Sequence, residues 1–375
     1  MPLSSLKKIP VGEINPGCKL NYSVFNKAGQ LVLRKGRTIS SLKQFRFINT
    51  KGYFKENLLS SSADYDDFSK EGDKEIILLI NSWIKKLLVI RGNYHQPSVD
   101  FTHLVLELAL HIQLQCKRDL DILLVAMQIK IHKDFNVINA LHSAVICEAI
   151  AAQYGLAQIE RLSLIAGALT HDIGFEKLQN KLHAQPGKLS KEQKEAVEQH
   201  PIVSESILKK QGVKDAVWLD VVRHHHERLD GTGYPDKLTA GEISLAVKII
   251  AIADTYVAAS HNTVFRPNTS SNKAIKTIYN NKKSFDETLI YPFIKMMGVY
   301  PLGSIVRLQN KEIALVTNLN NTLSSPLVTV LQNSTVFLET EVVVRDTAFA
   351  EYKVVGTEPL KKYPHLQPQI KHLLL

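Results

Sequence analysis

The densest chemistry in the sequence lies between His224 and Pro235, which read HHHERLDGTGYP. Three imidazoles fall on what reads as the last turns of a helix. A glutamate and an aspartate follow, and a Gly-Thr-Gly-Tyr-Pro turn closes the stretch. Paired histidines beside carboxylates supply metal ligands, and a stiff glycine-proline loop can wall a pocket. Further candidates stand elsewhere in the chain: His142, His171 with Asp172, His200 and Asp254. A set of neutral imidazoles and hard carboxylates favours iron, manganese or zinc over calcium or a thiolate cluster. Taken singly, His142 or His200 reads more readily as a capped or surface histidine, and Asp254 as a satisfied core carboxylate. His224 reads as an exposed neighbour of the set. The joint pattern of five histidines and two aspartates, most of them at helix ends in one segment, is what points to a metal site.

The elements that must position these residues are helices. Apolar residues recur at helical spacing at Ile76, Leu79, Ile80, Trp83, Leu87 and Ile90. Further helices are expected over 101–116, 120–131, 137–153, 159–172, 190–199, 201–211, 215–228 and 243–261. Ser190 with Gln193 forms a capping box, and Pro201 is expected to start a new helix, because the first turn needs no amide donor. His171 and Asp172 cannot point the same way within a helix, but at a helix end the backbone turns and both can reach one metal cluster. Asp254 sits inside an otherwise apolar helix, where a carboxylate is costly to bury without a partner.

On either side the pattern changes. Residues 8–57 alternate in short apolar and polar runs, with a hairpin expected at Lys27-Ala28-Gly29. After about residue 298 the runs SIVRL, IALVTNL, PLVTVLQN and TEVVVRD read as strands, and the residues from Leu360 as a loosely packed tail. The organisation expected is a strand-rich domain at 1–60, a polar linker at 61–73, a helical lead-in at 74–130 that also offers a homodimer surface, a helical metal domain at 131–297, and a small β module with tail at 298–375.

Composition fits a soluble globular chain of 375 residues with 45% hydrophobic and 22% charged residues. The net charge of +10 is spread over scattered lysines, which reads as a solvated basic surface with a smaller basic area at the site; no nucleic-acid polymer is expected as a partner. The opening MPLSSLKKIPVGE has no apolar signal core. The apolar stretches 76–90 and 245–259 are interrupted by Lys85, Lys86 and Asp254 and are short for a bilayer. A cytoplasmic protein without a membrane span is expected. Cys18, Cys116 and Cys147 fit no zinc or redox spacing and read as reduced core thiols.

Four segments together resemble the HD-GYP family of cyclic di-GMP phosphodiesterases, divergent members of the HD metal-dependent phosphohydrolases. They are HDIG at 171–174, HPIVS at 200–204, HHERLDGTGYP at 225–235 and IADTYVA at 252–258. The likeness covers roughly residues 120–295, and GVYPLGSIVRL at 298–308 is similar to a segment that often follows that domain. It implies a mainly α fold: an all-helical HD-type domain in the centre, flanked by the N-terminal strand-rich domain and the C-terminal β module. It implies a binuclear site of two divalent cations, iron or manganese before zinc, held by His142, His171, Asp172, His200, His225, His226 and Asp254. Asp172 would bridge the cations and take a catalytic part, since two cations held by one carboxylate activate water for attack on phosphorus. Gly231, Gly233, Tyr234 and Pro235 would border the substrate, while Glu227, Asp230 and His224 would orient the loop and the histidines.

The reaction so implied opens cyclic di-GMP to pGpG, which some members cut on to GMP, in bacterial second-messenger signalling. Diguanylate cyclases are an implied protein partner at the loop. Three departures qualify the likeness. Phe175 stands where the family usually has a phosphate-contacting lysine, with Lys177 two residues on as the substitute. Thr263 stands for the first arginine of an RPYR-type segment, of which Arg266 remains. Ile138 and Asn139 stand where some members place a glutamate for a third metal, so two metals are expected. The alternatives are a weakly active or inactive member that senses cyclic di-GMP, and a phosphohydrolase acting on another cyclic dinucleotide.

Overall fold

The computed structural model describes residues 76–94, 100–129, 134–176, 178, 182, 189–260, 271–320, 322–332 and 343–373, together with short pieces within 6–55. Four short strands lie in those first pieces: β1 (Leu6–Lys8), β2 (Val24–Phe25), β3 (Leu31–Leu33) and β4 (Tyr53–Lys55). They form one antiparallel sheet in the order β1-β4-β2-β3. The expected hairpin is there: β2 and β3 pair with Val24 opposite Leu33, and Lys27 lies in the turn between them. Ala28, Gly29 and the expected linker at 61–73 fall outside the described residues, as does Cys18.

The body of the protein is helical. Its elements are α1 (Ile76–Asn93), α2 (Phe101–Arg118), α3 (Leu120–Gln128), α4 (Phe135–Gln153), α5 (Gln158–Thr170), α6 (Lys191–Lys210), α7 (Ala216–His224), α8 (Leu245–Ser260), α9 (Ser271–Asn280) and α10 (Glu287–Met297). Aspartates start many of them. Asp100, Asp119, Asp134, Asp215 and Asp286 each accept a hydrogen bond from a backbone amide of the following first turn, which satisfies a donor the helix itself leaves open. Ser190 and Gln193 close the expected capping box at α6.

At the centre is α4, buried on all sides from Asn136 to Ala151. It is long and apolar enough to cross a membrane, but 89% of its apolar stretch is buried inside this fold, which is the environment of a core helix. It packs chiefly against α5 and α8, and α5 in turn against α7. The α5–α7 contact is close: a Cβ on Gly167 would stand 2.5 Å from Val221 Cγ1. Nearby, the Trp218 indole donates to Thr170 Oγ1 at 2.8 Å, and that hydroxyl donates to Ala166 O at 2.8 Å. The last turn of α5 is thereby fixed against α7, and both helices end at candidate metal ligands.

Two expectations need correction. Residues 190–211 do not form two helices divided at Pro201; α6 runs through it without a break. Proline inside a helix removes one amide donor and crowds the carbonyl four residues back, here that of Val197. The cost is offset because the Val197 carbonyl takes another donor, the His200 ring, at 2.6 Å. The tail is also not loose. It folds into short turns and α11 (Gln367–His372), with Leu366 and Ile370 fully buried one helical turn apart. The β module is a five-stranded antiparallel sheet ordered β8-β7-β6-β5-β9. Its strands are β5 (Ile305–Leu308), β6 (Ile313–Asn318), β7 (Leu327–Gln332), β8 (Val344–Asp346) and β9 (Val354–Glu358), the last not foreseen from the sequence.

Replacing Gly167 by alanine forces a methyl into the α5–α7 contact. The expected loss of stability is about 1–3 kcal/mol, typical of overpacking, read from the midpoint of chemical denaturation. An unchanged midpoint would mean that the two helices do not approach as described.

Candidate metal centre

Four helices deliver six of the seven candidate ligands. His171 caps the C-terminal end of α5 and Asp172 follows in the turn. His200 lies in the middle of α6. His225 caps α7, with His226 next in the turn. Asp254 projects from the middle of α8. His171, His200 and His225 are at most 2% exposed.

Three of the imidazoles are oriented in the same way. His171 Nδ1 lies 2.8 Å from Ala168 O, His200 Nδ1 2.6 Å from Val197 O, and His225 Nδ1 2.8 Å from Val222 O. Each partner is the carbonyl three residues back. Ala168 and Val222 belong to last turns, where helical carbonyls run out of amide partners; Val197 has lost its partner to Pro201. A carbonyl only accepts, so each Nδ1 carries the proton, and this assignment follows from the hydrogen bonds. The Nε2 atoms then point into the centre, where they face Asp172. Its Oδ1 stands 3.1 Å from His200 Nε2 and 3.8 Å from His225 Nε2, and its Oδ2 stands 3.5 Å from His171 Nε2. Asp254 is divided likewise, with Oδ1 3.6 Å from His171 Nε2 and Oδ2 3.8 Å from His226 Nδ1.

This arrangement is electrostatically incomplete as an array of neutral rings. His200 Nε2 and His225 Nε2 are 3.1 Å apart. Two lone pairs cannot face each other at that separation unless a proton or a cation lies with them. His171 Nε2 is buried and makes no hydrogen bond. Burial works against the His171 imidazolium, but Asp172 and Asp254 outweigh it and push the pKa up to about 9. Burial also opposes ionisation of Asp172, yet His171, His200 and His225 hold its carboxyl well below the usual carboxylate range. For His225, burial and the neighbouring rings of His226, His171 and His200 keep the pKa well below that of a free imidazole. The centre therefore demands positive charge at its Nε2 side, and a divalent cation satisfies that demand as a proton does. Two ligand groups have the spacing to hold an ion, His200 with His225 and His226, and His171 with Asp172 and His225. The residues fit a metal.

His142 is fully buried on α4, its ring edge-on to Tyr256 of α8 with centroids 6.0 Å apart. It is not part of either three-residue group. Lys177 and Arg266, expected to contact phosphate, and Thr263 lie outside the described residues.

The loop after His226 is held from within. Glu227, 1% exposed, accepts hydrogen bonds from the amides of Asp236 and Lys237 at Oε1 and of Leu238 at Oε2, at 2.7, 3.0 and 3.0 Å. Gly231 has φ +72°, and a Cβ on Gly233 would stand 2.5 Å from Glu227 Cα. Asp230 Oδ1 accepts from Thr232, and its Oδ2 from Ser284 Oγ at 2.8 Å. Tyr234 lies against His226, centroids 4.7 Å apart, and the peptide between it and Pro235 is cis. Through these contacts Glu227 and Asp230 tie the loop to itself and to Ser284. His224 is fixed between Asp220 at 2.6 Å and Asp236 at 2.8 Å.

Several contacts at the centre were not foreseen from the sequence. Phe175 stacks on His200, centroids 4.7 Å apart and planes 29° from parallel, and so props a candidate ligand. Asp220, one turn before His224, was legible as a partner by helical spacing. Arg228 reaches Thr255, beside Asp254, at 3.1 Å. Nothing in the spacing of Asp236, Arg223 and Glu205 announces the contacts they make.

Residues 124–289 match the family described as HD domain. A cyclic di-GMP phosphodiesterase of Pseudomonas aeruginosa is 31% identical over 230 residues, covering 60% of this chain and 55% of its own length. A cyclic di-GMP phosphodiesterase of Borreliella burgdorferi is 28% identical, covering 51% of this chain and 50% of its own. A 3′3′-cGAMP-specific phosphodiesterase of Vibrio cholerae is 36% identical over 138 residues, 37% of this chain and 30% of its own. The matched part of this chain thus spans about half of the first two relatives and less of the third.

Binding of a metal at pH 7 should release about one proton, because Asp172 and Asp254 push the His171 pKa up to about 9 and the ring must give up its Nε2 proton to become a ligand. Calorimetric titration with manganese in buffers of different ionisation enthalpy measures this, and the apparent affinity should weaken as pH falls. Asp172→Asn should lose most metal binding, and heat unfolding of the wild type should show metal-dependent stabilisation, about 2.7 kcal/mol at a hundredfold excess over Kd. No proton release would contradict the charge balance described.

Proposed function

We propose that this chain, a member of the HD-GYP family, is a metal-dependent phosphodiesterase that opens cyclic di-GMP to linear pGpG. The observation that carries this reading is the convergence of three Nδ1-anchored imidazoles on Asp172, with its two carboxylate oxygens divided between His171 on one side and His200 and His225 on the other. That division suits one carboxylate shared by two cations. The donor set of imidazoles and carboxylates suits iron or manganese, with zinc as the alternative. When bound, the metals supply an activated water at neutral pH and neutralise charge that gathers on the phosphoryl oxygens.

The remaining work falls to the protein. The Nδ1 hydrogen bonds of His171, His200 and His225 to their own helices hold each ring with Nε2 toward the centre, so little reorientation is needed to present a ligand, and His171 gives up its Nε2 proton on binding. Asp254 serves both sides of the cluster. His142, buried on α4 against α8, completes the set of seven ligands in this reading. The rigid turn from Gly231 to Pro235 borders the substrate, and Tyr234 forms a wall beside His226. Lys177 and Arg266 serve as phosphate contacts. Phe175 supplies packing on His200 where a lysine would supply charge, and the expected consequence is slow turnover. A charge-assisted hydrogen bond is worth on the order of 1.5–3 kcal/mol, roughly ten- to a hundredfold in rate.

Hydrolysis of pGpG to GMP is open to the same centre. A substrate of this kind implies action in the cytoplasm and a role in second-messenger signalling, with the loop as a surface for a diguanylate cyclase and the α1–α3 helices as a homodimer face. A second reading, cleavage of 3′3′-cGAMP, is favoured by the 36% identity to a phosphodiesterase of that specificity.

Protein loaded with manganese or iron should convert cyclic di-GMP to pGpG by chromatography, and Asp172→Asn should not. Phe175→Lys should raise kcat/KM roughly tenfold or more. Comparing kcat/KM for cyclic di-GMP and 3′3′-cGAMP decides between the two substrates. Metal-loaded protein that binds the nucleotide without cutting it would move the function to sensing.

A further inference from the structure

Arg223 lies two residues before His225, on the outer side of α7, and takes no part in the metal centre. Its guanidinium nevertheless joins three elements that do. Nε and Nη2 donate as a fork to the two oxygens of Asp236, at 2.6 and 2.9 Å, and Nη1 donates to Glu205 Oε2 at 2.9 Å. Asp236 directly follows Pro235, the end of the substrate-bordering turn. Glu205 is on α6, the helix that carries His200. Arg223 is itself on the helix that ends at His225. Asp236 is held a second time by His224 at 2.8 Å, and its backbone amide is held by Glu227 at 2.7 Å.

We propose that Arg223 is a positioning residue: it fixes the Asp236 end of the Gly231–Pro235 turn at a set distance from the helices of His200 and His225. This rests on the reading of that turn as the border of the substrate. The middle and the end of the turn are secured differently. The Gly233 backbone lies close against Glu227, where a Cβ would stand 2.5 Å from its Cα. Asp236, after the turn, is held by directed hydrogen bonds from Arg223, from its own amide to Glu227, and with His224. A guanidinium suits that task because its five donors lie in one rigid plane, so two carboxylates can be held at a fixed angle. A lysine at 223 would keep the charge and lose the fork. The pair is partly exposed, with side chains 28% and 34% accessible, so its contribution to global stability is small. Its effect is on where the turn sits.

The test uses the full chain, wild type against Arg223→Gln and Arg223→Lys, with metal content measured first. Hydrogen exchange followed by mass spectrometry should show amides of 231–239 exchanging about tenfold faster in Arg223→Gln, with the α4 and α5 amides unchanged. Arg223→Lys should recover only part of the protection. With cyclic di-GMP, KM should rise about tenfold while kcat stays within about threefold, and Arg223→Lys should recover part of the loss. Glu205→Gln should act in the same direction with a smaller effect. Unchanged exchange at 231–239 would overturn the proposal. So would faster exchange spread over α6 and α7 or loss of metal, either of which makes Arg223 a structural residue only. If the wild type cuts no cyclic dinucleotide, the functional reading fails, and the exchange pattern still decides the role of Arg223.

Discussion

Two imidazole nitrogens 3.1 Å apart, both directed at one partly buried carboxylate, set the terms for the rest of this protein. Such a cluster is repulsive until a positive charge joins it, so the fold must hold it together against its own electrostatics. It does so through helix ends and helix packing. The Trp218–Thr170 hydrogen bond and the close approach at Gly167 lock α5 to α7, and so fix His171 and Asp172 against His225. The buried helix α4 supplies the common surface on which α5 and α8 rest. Little of this is chemistry in itself. It is the means by which apolar packing stores an arrangement of charges that water would otherwise dissolve.

The turn that follows the histidines is built differently. Glu227 is a buried carboxylate adjoining the ligand pair, and by residue type alone it would pass for a ligand. Its oxygens are instead occupied by three backbone amides of 236–238. A carboxylate that accepts two or three amide hydrogen bonds has little left to offer a cation. The same functional group, a carboxylate, thus faces the imidazoles at Asp172 and braces a turn at Glu227, and the number of amides within reach separates the two settings.

Much of this was legible in the sequence. Helical periodicity located most helices to within a few residues, and residue type with spacing singled out His142, His171, Asp172, His200, His225, His226 and Asp254, of which all but His142 meet around Asp172 and Asp254. The failures share a cause. Pro201 was read by its local propensity as a helix start, whereas a side-chain donor from the preceding residue lets the helix pass through. Leu366 and Ile370 were too few to show a period, and only the tertiary contact buries them. Phe175 was visible as a lost cation but not as a ring stacked on His200, since a stacking partner 25 residues away leaves no periodic trace. The Arg223 contacts escaped for the same reason: they join two helices and a turn, and no one-dimensional pattern encodes that meeting.

Pro201 has a consequence for how this protein can change. At most interior helix positions, replacing proline by alanine is a gain, of about 3 kcal/mol in intrinsic propensity. Here the replacement would restore an amide that competes with the His200 ring for the Val197 carbonyl. The helix would improve and the imidazole would lose the contact that keeps its proton on Nδ1. Selection for robustness and selection for a fixed His200 ring therefore pull in opposite directions at this one residue. A screen for thermostable variants would be expected to find substitutions at position 201 that are well folded and leave the His200 ring free to turn.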